Sequence, residues 1–160
     1  MMAQEGASAF RLTDLIEIDQ QTFNKAGTIL DEARSRARSF DYDLAVRRAQ
    51  EAFELHLKSL FRFLHRTYPE THDLKKQIYE LSVALNEFSF DSRQVARLVL
   101  ANSMLALWRS PAFYGDETLK VGGLFDASEA NLAISYAESA QLACEIVRQR
   151  AYAQATTAAT

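Results

Sequence analysis

Between Leu12 and Arg38, apolar and small residues recur at every seventh position. One series runs Ile16, Phe23, Leu30 and Ala37; the other holds Leu12, Ala26 and Ala33. That spacing draws a stripe down one face of a helix. Asp19 interrupts the second series, and a lone carboxylate on a core stripe is expected to meet an Arg or a cap rather than catalyse. Thr13 or Ser8 offers a cap at the start, and the helix is expected to end near Ser39. Asp41 or Asp43 can then cap a second helix whose core face reads Ala45, Ala49, Ala52 or Phe53, His56, Leu60, Phe63 or Leu64. From about Tyr42 to about His65 this rod spans roughly 35 Å. Tyr68 and Pro69 break it, because proline disfavours helix in the residue before it.

Thr71 is the expected cap of a third helix carrying Leu74, Ile78, Leu81 and Leu85. Phe88 to Gln94 reads as a connector in which Asp91 and Gln94 form a capping box. A fourth helix carries Val95, Leu98, Val99, Leu105 and Trp108, and is expected to stop at Pro111. The loop from Ser110 to Phe125 holds Gly115, Gly122 and Gly123. Asp126 and Glu129 make a second capping box, opening an Ala-rich helix to about Arg150. Ala130, Ala133, Ala137, Ala140 and Cys144 form a small-residue stripe on it that lets a neighbouring helix approach closely. No strand pattern and no repeat is visible. The expectation is an all-α, up-and-down four/five-helix bundle over residues 12–150, with flexible ends at 1–11 and 151–160.

Composition agrees: five Gly and two Pro in 160 residues leave few breakers, and 48% hydrophobic with 24% charged residues is ordinary for a soluble domain. A net charge of −3 advertises no overall basic field. The single Cys144 excludes an internal disulfide and a multi-cysteine zinc site, and reads as a small buried hydrophobe. No apolar run approaches the roughly 20 residues that span a bilayer. The N-terminus lacks the pattern of a signal peptide, so a cytoplasmic location without membrane association is expected.

A di-metal carboxylate bundle needs Glu-x-x-His on two helices. Phe53, Arg62 and Pro69 stand three positions before His56, His65 and His72, so that class is rejected and neither metal nor cofactor is expected. Phosphate-loop, zinc-protease and nucleophile-elbow motifs are absent. Arg34, Arg36, Arg38, Arg47 and Arg48 cluster near the first turn between helices. Arg suits bidentate phosphate recognition, so Arg34, Arg38, Arg47 and Arg48 are a candidate phosphate patch. Asp31, Glu32, Asp41, Asp43 and Glu51 intermix there, which favours a solvated face of ion pairs. His56 is expected to be a buried, hydrogen-bonded core histidine. His72, in the first turn of its helix, bonds across to the preceding helix or faces a cleft.

The stretch from Leu44 to Leu64, followed by P-E-T-H-D-L from Pro69 to Leu74, resembles the HEPN family, a small all-α bundle also found beside minimal nucleotidyltransferases. Ala45 and Ala49 match its small face; Glu54, Leu57, Lys58 and Leu60 match the positions before the loop. Arg109, Tyr114, Gly115 and Asp116 resemble the Arg-then-aromatic loop before the last helix. Ala130 to Glu138 resembles that helix's A-x-x-A-I-x-x-A-E pattern. The likeness runs from about Leu12 to Arg150.

RNase members carry an Arg, four to six residues, then a His in that loop, and His is the usual acid or base for such cleavage. Here no histidine follows His72. Arg66 and His72 have the spacing in the loop after the second helix, not where the family places it, and read as coincidence. The resemblance therefore implies a non-nucleolytic binding or interaction module, forming a homodimer and partnering a nucleotidyltransferase in a toxin–antitoxin-like pair. Nucleotide or RNA phosphate would sit near Arg109, with Tyr114 as a stacking surface, Asp116 as an acceptor, and His72 and Lys58 alongside. The alternatives are an RNase toxin using Arg109 with His72 at a displaced site, and a purely structural helical adaptor.

Overall fold

The computed structural model describes the backbone of residues 2–64, 70, 74–87, 90–114 and 123–158. Side chains are described for 20–64, 70, 74–82, 85–87, 90–109, 123–150, 152, 153 and 157. The described chain is all-α: α1 (Met2–Arg38), α2 (Tyr42–Phe63), α3 (Lys75–Glu80), α4 (Ser82–Glu87), α5 (Ser92–Tyr114) and α6 (Ala127–Ala158). The α2 helix is the hub, packing most extensively on α6 and α1 and also on α5; α3 and α4 lie against α5. Leu30, Ala33, Ala45, Ala49, Phe53, Leu57, Leu60, Leu98, Ala133, Ala137 and Val147 belong to one continuous buried core. Cys144, the single cysteine of the chain, is buried.

Both capping boxes form. Asp91 N–H donates to Gln94 Oε1 and Gln94 N–H to Asp91 Oδ1, each at 2.9 Å. Asp126 N–H donates to Glu129 Oε1 at 3.1 Å and Glu129 N–H to Asp126 Oδ1 at 2.9 Å. Of the two aspartates offered for α2, Asp41 is the N-cap, accepting from Leu44 N–H. Asp43 instead reaches across the bundle, where its Oδ1 accepts from Leu124 N–H at 2.9 Å and Phe125 N–H at 3.0 Å. Gly123 beside it has φ +80°, and a Cβ there would come 3.4 Å from Asp43 Oδ1. One side chain at the start of α2 thus pins the entry to α6.

Three expectations need correction. The third helix divides at Leu81, where ψ −10° bends the chain between α3 and α4 while Leu81 and Leu85 both stay buried. The fourth runs through Pro111 to Tyr114. Proline there falls in the closing turn of a 23-residue helix, where only one backbone hydrogen bond is forgone. The first helix extends back to Met2 and the last on to Ala158. His56 is fully buried, but among the described residues neither ring nitrogen has a hydrogen-bond partner. The expected Thr71 cap and most of the glycine loop lie outside the described residues.

Candidate functional site

Arg109 lies on the face of α5 turned toward α2, five residues before the helix ends. Its guanidinium forms an ion pair with Glu54 of α2, and each of the two side chains is 27% exposed. One turn earlier on α2, Gln50 Nε2 donates to Leu105 O at 2.9 Å, tying α2 to the turn of α5 that carries Arg109. Gln50 and Asn102 are both only 3% exposed. These side chains make a polar seam through an otherwise apolar interface. The cavity among Gln50, Asn102, Leu74 and Arg109 is about 10 Å³, room for one water and no more. Arg109, 27% exposed, stands at the rim of the seam.

Lys58 stands one turn beyond Glu54. It lines an open groove of about 340 Å³ between α1 and α2, together with Lys25, Arg48, Glu51 and Glu54. Glu54 therefore borders both spaces. Leu74, two residues after His72 in the sequence, lines the cavity beside Arg109. His72 and Asp116 lie outside the described residues, as does the side chain of Tyr114.

The arginine cluster is laced with carboxylates. Arg34 bonds Asp31 at 2.7 Å and, across the bundle, Glu138 of α6 at 3.1 Å. Arg48 bonds Glu51 at 2.6 Å and Glu32 at 3.2 Å, and the Glu51 hydrogen bond raises its pKa. Arg47 reaches Glu51 at 4.0 Å, and Arg36 reaches Asp41 at 3.8 Å. Arg38 is exposed. Three of the four residues in the candidate phosphate patch thus already have anionic partners.

The family model described as HEPN domain matches residues 20–147. The chain belongs to the HEPN family. Comparison with curated proteins and with solved structures finds no match. The HEPN match takes in Lys58, His72 and Arg109 and leaves their roles open, because the fold is shared by sites of different chemistry. Among the described residues no helix is long and apolar enough to cross a membrane, and no three His, Cys, Asp or Glu side chains gather as a metal site.

Sequence reasoning missed Glu54 as the partner of Arg109, and Gln50 as the tie to Leu105 beside it. Gln50 and Glu54 are four apart on α2, so they share a face, and that spacing was the available signal. It also missed Arg148 on α6. This arginine is 7% exposed, sits 3.9 Å above the Phe23 ring and donates to Gln20 Oε1 at 2.8 Å. His56 meets the same Phe23 edge-on, with ring centroids 5.3 Å apart. Burial first, then the Arg148 charge, pushes the His56 pKa down to about 4, so the imidazole is neutral at pH 7.

Proposed function

We propose that this HEPN domain is a non-nucleolytic binding and interaction module that takes a nucleotide or RNA phosphate at Arg109. The observation that carries it is the half-buried guanidinium of Arg109, held by Glu54 at the rim of the α2–α5 seam. Arginine so braced presents a planar fork for phosphate oxygens without losing much side-chain freedom on binding. In this reading Lys58 adds positive charge from the neighbouring groove, Tyr114 supplies a stacking face, and Asp116 accepts from ribose or base. The module works as a homodimer beside a nucleotidyltransferase, in a toxin–antitoxin-like pair. The lack of any histidine after His72 supports the non-nucleolytic role.

Equilibrium binding of ATP and of short RNA across a salt series tests this. Binding that weakens with salt and is lost in Arg109→Ala is expected; no binding, or affinity indifferent to salt, would favour a purely structural adaptor. A nucleotidyltransferase that co-purifies with the chain would support the pairing. The second reading, an RNase using Arg109 with His72, draws on Leu74 lining the Arg109 cavity. RNA cut by the wild type but not by His72→Ala or Arg109→Ala would establish it and overturn the binding-only role.

A further inference from the structure

Any phosphate that approaches Arg109 finds a carboxylate already there. Glu54 occupies the anion position from α2, and its other flank lines the groove that holds Lys58. Glu54 precedes Lys58 by four residues, the helical order in which a Glu and a Lys pair best. Resting on the reading of Arg109 as the phosphate contact, we infer that Glu54 sets the specificity of that site as an internal competitor. It fills the anion position in the free domain and gives it up by turning along α2 toward Lys58.

Displacing a resident carboxylate is harder than filling an open site. A monoanion offers Arg109 no more charge than Glu54 does, so it gains little by the exchange. A terminal phosphate carries about −1.5 to −2 charges at pH 7 and three strong acceptor oxygens, so it wins. The ligand class is therefore a terminal phosphate, carried by a free nucleotide or by the end of an RNA, in preference to an internal diester. The closed cavity behind Arg109, about 10 Å³, fits this: only the phosphate need reach the rim.

The test uses the full chain, with ATP and two short single-stranded RNAs identical except for a 5′-phosphate. Wild type is expected to prefer the phosphorylated RNA. Glu54→Gln keeps an oxygen that can accept from Arg109 while removing the competing charge. It is expected to tighten binding of the unphosphorylated RNA about tenfold, the scale of one charge-assisted hydrogen bond, and so to narrow the preference. The Glu54→Gln/Arg109→Ala double variant is expected to bind none of the three. Glu54→Asp, which keeps the charge but withdraws it from Arg109, is the second variant and is expected to fall between. A thermal melt by circular dichroism checks each fold. If wild type binds and Glu54→Gln binds equally or more weakly, Glu54 merely positions Arg109 and the inference falls while the proposed function stands. If neither wild type nor Glu54→Gln binds any probe, the proposed function itself falls. ATP binding without RNA binding would assign the site to free nucleotide, and discrimination between the two RNAs would assign it to RNA ends.

Discussion

The neutral imidazole of His56 makes stability depend on pH. Its folded pKa, about 4, lies below the ordinary 6.5, so the unfolded chain takes up the proton first. The contribution is therefore complete above pH 6.5 and is lost as pH falls toward 4. By linkage it amounts to about 3 kcal/mol. His56→Leu should flatten that part of the profile, read as a smaller drop in urea midpoint between neutral and acidic pH than in wild type. An equal drop in both would show that the ring does not govern the slope. A second residue acts through its backbone. Phe40 has φ 63°, the left-handed conformation that normally belongs to glycine at a helix C-terminus, and it is 79% exposed. Asp41 N–H to Arg36 O at 3.0 Å and Phe40 N–H to Ala37 O at 3.2 Å close the motif. Phe40→Gly should stabilise the domain by about 1 kcal/mol, seen as a raised Tm.

Between elements, Asp43 is the most consequential tie outside the core. It belongs to the first turn of α2 yet accepts backbone N–H groups of Leu124 and Phe125, just ahead of α6. Removing it leaves those donors without their acceptor and frees the entry to the helix that α2 packs on most. Asp43→Ala should cost about 2 kcal/mol and lower the denaturant midpoint. Asp41→Ala, which removes the cap of α2 and a long, exposed ion pair with Arg36, should cost about 1 kcal/mol. Equal losses would mean that Asp43 serves only its own helix. The capping boxes were legible because a cap and its partner are three residues apart. Asp43 was not, since its acceptor role depends on a segment 81 residues away. The bend at Leu81 and the passage of the helix through Pro111 were not legible either, although proline is a local stop signal.

For the molecule as a whole, the remaining question is assembly. The proposed homodimer should sediment at twice the 18.1 kDa of one chain. Leu100 and Leu107 on α5 are 53% and 69% exposed and stand two turns apart on one face. If that face joins two copies, a Leu100→Lys/Leu107→Lys variant should run as a monomer with its helix content intact. A variant that stays dimeric would direct attention to another surface, and a wild-type monomer would end the homodimer proposal.

Periodicity and capping, both local, were enough to establish from the sequence an all-α bundle, its principal helices, most of its buried residues and a resemblance to the right family. Arg109 and Lys58 drew attention only through that resemblance. What Arg109 faces was decided only by tertiary structure, because Glu54 lies 55 residues away in the chain. The same holds for the arginine patch, where Arg34 meets a carboxylate 104 residues distant. Residue type and spacing show which charges a helix carries. Only the packing of one helix on another decides which of those charges are already matched, as Arg109 is by Glu54.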